Sequence, residues 1–527
     1  MDRRRFVSAA SAAAVATALP ARGAAPAGTL RRVVPSEVTT LDPQRPTGQL
    51  TSELGPELFA GVTVFDATGR LAPGIAARWQ ANPGFTRYSF ELRPNLKWSD
   101  GRDLTARDVV YSIRRFLTPA TAAQQASRLD ALANARAARL GKVAPDKVGV
   151  SAPAAATVQF DLEQPDIEFP LMLAIAYVTP QHLIDARGPA WSRPEFLVSN
   201  GPYKMQQWTP GAKTIRLVRN PFYHDAKSVR IERIEWHTGY DDATRLRMFR
   251  AGEGDVVTLE DSSSLELARR DFPDRIRSSP EFVSGQVGLN LRRPALQNPR
   301  VRRALALALD RRAITDRVRN LGERASESFL PEGLPNYSVR AMPLHAQLPM
   351  PARLAEARAL MQQAGVSPRA PLKLGIGFPS SATGRKVYLA VAAMWKQIGV
   401  DASLQPIEGR AYNAAIQRGE FDVFSFNTFA VVPSPLIFFE RFQSDSALNV
   451  SFYKSAEFDR LLAEGSRATD AATRAAKFLS AEQVLLRDYP AIPLYTGASN
   501  RLVASRVRGW VDHGSQPHPS QFLSLVA

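Results

Sequence analysis

The sequence predicts an α/β protein of at least two lobes. The chain has 527 residues, and a single hydrophobic core rarely grows past about 250–300 residues. Segments with apolar residues in strict alternation recur along it, the pattern of half-buried strands. Between them run stretches with helical spacing, stopped by glycine and followed at once by another strand-like run.

The elements follow in chain order. Residues 1–27 open with Arg3, Arg4, Arg5 and Phe6, continue with an Ala-rich apolar run from Val7 to Leu19, and end in small residues. This is an export signal, too short to span a membrane and stay there. Adjacent arginines closely followed by Phe6 resemble a twin-arginine signal; a general secretory signal is the alternative. Cleavage is placed within Ala21–Ala27. The chain has no cysteine, which excludes disulfides, thiolate metal sites, a thiol nucleophile and a lipid anchor on an N-terminal cysteine. The expectation is a soluble periplasmic protein.

Residues 86–98 alternate Tyr88, Phe90 and Leu92 with polar neighbours and read as a strand. A helix starts at Thr105, with Asp108 completing a short-armed capping box. Val109, Ile113, Phe116 and Leu117 line one face, and Pro119 ends it. Residues 201–223 read as a hairpin whose Pro210-Gly211 suits a type II turn. Asn298 and Pro299 cap a further helix, running on through "RVRRALALALDRRAITDRV". It buries Val301, Leu305, Ala308, Leu309 and Ile314, with its arginines on a solvated face. A second helix over 352–364 stops at Gly365. A third carries Val387, Val391, Met394, Trp395 and Ile398, stops at Gly399, and leads into the strand "VDASLQ".

The 17 residues between Asp422 and Glu440 carry no charge, in a chain of net charge +17. The run is short of the ~20 apolar residues of a spanning helix and contains Pro433 and Pro435. It reads as a buried strand and a turn. The signal's net +3 (Arg3, Arg4, Arg5 and Arg22 against Asp2) leaves the mature chain near +14. Acids and bases are interspersed, and no basic block is interleaved with aromatics, so nucleic acid is not an expected partner.

A search for catalytic chemistry finds little. There is no His-Glu-x-x-His helix, no phosphate-binding Gly-Lys-Ser/Thr loop and no Gly-x-Ser-x-Gly elbow. Ser451 and Lys454 match a Ser-x-x-Lys pattern without its companion motifs, which leaves a secreted Ser/Lys hydrolase as the alternative to a binding protein. The six histidines are scattered, apart from the loose pair His513 and His518. Paired carboxylates at Asp241-Asp242 and Glu260-Asp261 sit in polar surroundings and read as solvated. No metal or cofactor is expected.

The ordered series of blocks resembles the family 5 extracytoplasmic solute-binding proteins of ABC importers, the large binders of the oligopeptide, dipeptide and nickel type. The series begins with Leu41-Asp42-Pro43, "ELFAGV" and "LAPGIAARW", and its most specific block is "YSFELRPNLKWSDGRDLTARDVVYS" (88–112). "NGPYK" with "RNPFY", "AGEGDVV", "NPRVRRALALALDRRAI", "FDV" and "PAIPLY" complete it. The resemblance implies the large, type II periplasmic-binding-protein fold: two α/β lobes joined by two crossings, with an additional domain in the first lobe. Mapped onto this chain, lobe I is 28–50, 183–283 and 490–527, the extra domain is 51–182, and lobe II is 284–489. The implied function is capture of a small polar or peptide-like solute by lobe closure. The partners are a membrane permease and its ATPase, and the chain is a monomer. A ligand-presenting partner of a chemoreceptor differs only in what it docks on.

The resemblance also places the charge-free run in the cleft wall. Peptide binders carry an aspartate there for the peptide's ammonium. Counting from Phe421-Asp422-Val423, that position is Val431 and the usual tryptophan is Thr428. A valine cannot neutralise a buried ammonium, so the protein is not expected to hold a free peptide N-terminus in the usual way. A small polar solute is expected, anionic and N-blocked ones included, with modified peptides, opine-like conjugates and glycosides all open. The expected ligand contacts are Asn427, Thr428, Phe429 and Val431 from the wall, and Gly48, Gln49 and Thr51 after Leu-Asp-Pro. Ser380, Ser381 and Arg385 are added at a helix start suited to anions.

Overall fold

The computed structural model describes residues 28–45, 49–335, 337, 339–514 and 518–526. The expected export signal lies outside them. One large mixed sheet runs through the molecule, with strands in the order 400–407, 372–379, 423–429, 276–289, 491–503, 256–259, 29–33, 233–237, 214–219 and 203–207. The short strand Arg324–Ala325 pairs beside 491–503.

Two long antiparallel strands, Ile276–Leu289 and Ala491–Val503, belong to both halves of this sheet. Their register breaks between Pro280 and Ser284, where proline has no N–H to give to the ladder. Before the break, Ile276–Pro280 pairs with Ala498–Leu502, beside the strand Val256–Leu259. After it, Ser284–Gly288 pairs with Ala491–Thr496 on one side and with the strand Val423–Phe429 on the other. These are the two crossings between two lobes. At Gly285 a Cβ would collide with the ring of Tyr495, so the glycine lets that ring lie against the backbone.

The extra unit is a separate four-stranded antiparallel sheet of 76–81, 87–92, 157–161 and 150–154. Tyr88, Phe90 and Leu92 point into its core. The helix Ala106–Phe116 covers it, and the Asp108 carboxylate accepts the Thr105 N–H at 2.8 Å. In the first lobe, Tyr203–Gln207 and Thr214–Arg219 form the expected hairpin, with Gly211 at φ +86° in its turn.

The helix after Asn298 departs from expectation. Asn298 caps it, accepting the Arg300 N–H at 3.0 Å, but it ends at Leu307, and a π-helical segment follows at Ala313–Arg319. Two of its arginines are not on a solvated face. Arg302 donates to the Asp488 carbonyl at 2.6 Å, and Arg311 donates to the Pro493 carbonyl at 2.7 Å and pairs with Glu327 at 2.8 Å. Both are buried, because backbone carbonyls and a carboxylate satisfy their donors inside. The helices Met350–Gln363 and Ala382–Lys396 form as expected, and Gly365 (φ +81°) and Gly399 (φ +84°) take the left-handed conformation beyond them.

The first lobe has apolar cores on both faces of its sheet. A third apolar cluster is continuous through the extra unit and the second lobe. At that seam Arg474 donates to Glu168 at 2.6 Å, Ser434 donates to the same carboxylate at 2.5 Å, and Arg128 pairs with Glu440. The two halves are therefore shut on each other.

Candidate ligand-binding cleft

A cavity of about 600 Å³ lies between the lobes, beside the two crossings. All three structural units line it. The loop after the first strand brings Pro43, held because Arg115 of the extra unit bridges Asp42 at 2.5 Å and donates to Gln44 at 2.6 Å. The helix Gln49–Leu58 brings Glu53. One turn on, its Glu57 is fixed by Ser520 at 2.6 Å and Arg32 at 3.3 Å. Phe116, Gln125, Ile175 and Tyr177 close the side belonging to the extra unit. The crossings bring Glu281, Phe282 and Val283, and Tyr495 with Gly497 through Asn500. The π-helical segment brings Arg319.

The wall strand Val423–Phe429 places its residues by alternation. Asn427 and Phe429 point into the cavity, and Val431 lines it beyond the strand. Phe429 is 64% exposed, an apolar ring that the protein itself does not cover. Thr428 points the other way. It is 1% exposed, and its hydroxyl has no hydrogen-bond partner, so it is a core residue rather than a cavity contact.

The second expected group is not at the cavity. Ser381 caps the helix Ala382–Lys396, its hydroxyl accepting the Gly384 N–H at 3.0 Å. Ser380 and Arg385 are exposed and outside the lining. Of the third group, Gly48 and the side chains of Gln49 and Thr51 lie outside the described residues. The backbone of Gln49 and Thr51 forms the first turn of the helix that carries Glu53.

Charge is the feature that sequence reading missed. Among the described residues, four carboxylates line the cavity: Glu53, Glu260, Glu281 and Glu323. Arg319 pairs with Glu323, Nε to Oε1 at 2.7 Å, and stands over the Tyr495 ring at 4.4 Å. Arg501 lies 3.8 Å from Glu53. Burial pushes the Glu281 carboxyl above its ordinary range against the pull of Arg501, and Glu53 and Glu323 push it the same way. Burial also raises Glu260, opposed by Arg245 and helped by Asp242, Glu53 and Glu281. With valine at position 431, the cleft still carries negative charge, supplied by other elements.

Glu260, expected to be solvated, follows directly on the wholly buried strand Val256–Leu259. A charged residue at the carboxyl end of a buried strand is the available signal, since ligands in α/β sheets bind there. Its neighbour Asp261 is a helix cap, accepting from Ser264 N–H at 3.0 Å, and Asp241 caps the helix before it. Ser451 is buried and donates to Asn449 at 3.2 Å, while Lys454 is exposed, so the Ser-x-x-Lys pattern assembles no nucleophile–base pair. Among the described residues there is no group of three or more His, Asp or Glu that could hold a metal ion.

Residues 70–449 match the profile of the bacterial extracellular solute-binding proteins, family 5 (middle). The chain belongs to this family. It is 32% identical to the probable deoxycholate-binding periplasmic protein YgiS of Escherichia coli over 488 residues, covering 92% of this chain and 90% of that one. It is 32% identical to the periplasmic oligopeptide-binding protein OppA of Salmonella typhimurium, over 95% of each. The solved structure of Burkholderia pseudomallei OppA superposes with a TM-score of 0.84 at 29% identity, covering 95% of this chain and 99% of that one. Family 5 membership accounts for the two crossings and the extra unit, and for a cavity at the place where the lobes meet. No helix among the described residues is long and apolar enough to cross a membrane.

Proposed function

We propose that this family 5 protein is the exported, periplasmic binding component of an ABC importer. It captures a peptide-like solute by closing its lobes and delivers it to a membrane permease driven by an ATPase. The carrying observation is the cavity of about 600 Å³ whose lining comes from both lobes and the extra unit at once. A ligand that touches all three gains contacts only when they are together, so its affinity favours the shut form. The chain acts as a monomer and a binder, with no catalytic step.

The working units are lobe I (28–50, 183–283 and 490–527), the extra domain (51–182) and lobe II (284–489). The wall strand does not hold a peptide's amino terminus by an aspartate, since Val431 stands in the expected place.

Native mass spectrometry of the mature protein purified without denaturant should show a retained small molecule. Stripping that molecule by unfolding and refolding should enlarge the radius of gyration in solution scattering, and adding it back should restore the compact form. A protein that holds nothing, and whose scattering no solute changes, would overturn the proposal.

A further inference from the structure

The bases outnumber the acids in this chain, 67 to 50, so a cavity placed at random on it would be basic. The cleft is the reverse. Among the described residues it is lined by Glu53, Glu260, Glu281 and Glu323 against the single cation Arg319, with Arg501 behind Glu53. Arg319 is committed to Glu323 and to the face of Tyr495. With all six groups ionised, the site carries a net charge of about −2, in a region from which water is partly excluded.

The carboxylates are not a surface cluster that solvent satisfies. Glu53 and Glu323 are 6% and 9% exposed, and Oε2 of Glu323 is buried without a hydrogen-bond partner. Glu260 is exposed, yet burial is the main force that raises its pKa. Both hold for a side chain that is ringed by protein and opens onto an internal cavity. Such groups gain most from a counter-charge supplied by the ligand. In the same lining, the exposed ring of Phe429 offers an apolar surface that a cation alone would not use.

We infer that the cargo is an amphipathic cation: an ammonium or guanidinium group faces Glu53, Glu260 and Glu281 while an apolar portion of the same molecule packs on Phe429. The inference rests on the solute-capture reading above and adds the charge class to it. The anchoring charge comes from lobe I and its extra domain, not from the wall strand of lobe II where relatives would carry it.

The test uses the whole mature protein and a casein digest separated by ion exchange at neutral pH into cationic, neutral and anionic peptide fractions. Thermal shift and scattering are read against peptide concentration. The cationic fraction should stabilise and contract the protein at about tenfold lower concentration than the neutral one, and the anionic fraction should do least. Glu281→Gln and Glu260→Gln should each erase most of that preference, about tenfold. Glu260→Gln faces the open cavity, so it serves if Glu281→Gln folds poorly. A neutral or anionic fraction as effective as the cationic one, or a preference unmoved by both substitutions, would overturn the charge assignment. If no fraction contracts the protein, solute capture itself fails, and the charge assignment fails with it.

Discussion

Thr428 and Glu281 lie on neighbouring strands but obey different constraints. Thr428 faces a core and has a hydroxyl with nothing to bond, so Thr428→Val removes an unpaired polar group at almost no cost in shape. Denaturant unfolding should show stability unchanged or raised by up to about 1 kcal/mol, and solute affinity should stay the same. A loss of affinity would mean that the residue reaches the cavity after all. Glu281 faces Arg501, Ser499, Glu53 and Glu323, and Glu260 faces Arg245, Asp242, Glu53 and Glu281. The folded-state pKa of each is raised. Between the ordinary carboxylate range and those raised values, the native state holds protons that the unfolded chain has released. These two groups therefore make the empty protein less stable as pH rises through that window. Replacing both by glutamine should flatten that part of a plot of melting temperature against pH. The place of Val431 on the cleft wall was legible in the sequence, because one family motif sits close by. The four glutamates were not, since each comes from a different element and only the fold brings them together.

At the scale of elements, strand and helix periodicity gave reliable faces. Asn427 and Phe429 are on the open side of their strand because side chains alternate. Leu305 and Ile314 are buried as their spacing predicts. The failure of the expected solvated arginine face after Asn298 has a physical cause. Arg302 and Arg311 find carbonyl and carboxylate partners inside, and hydrophobic patterning cannot see partners that are distant in sequence. The seam between the extra unit and the second lobe depends on Arg474 and Glu168, both about nine-tenths buried or more. Arg474→Leu removes the cation and leaves Glu168 with Ser434 as its remaining side-chain partner. Breaking one partner of a buried pair costs about 3–5 kcal/mol when the other stays buried. Here opening lets Glu168 regain water, so the cost should appear as a shift toward an expanded form. Scattering should show a larger radius of gyration without solute, and solute affinity should fall at least tenfold. Unchanged scattering and affinity would show that the seam does not hold the lobes shut.

For the whole molecule, the relevant property is a difference between two states. A solute at 100 times its dissociation constant stabilises the form that binds it by about 2.7 kcal/mol. The melting temperature of the stripped protein should therefore climb with the logarithm of solute concentration once that constant is passed, alongside contraction in scattering. Stabilisation without contraction would place the solute somewhere other than between the lobes.

By itself, the sequence determined the family, the α/β elements and the two-lobed plan, because periodic patterns and local motifs are written in adjacent residues. It also fixed the absence of thiol chemistry. Only the tertiary structure decided the electrical character of the cleft and which expected contacts reach it. Charge at a point in space is a sum over side chains from separate segments, and a cavity exists only where folded segments fail to fill the space between them.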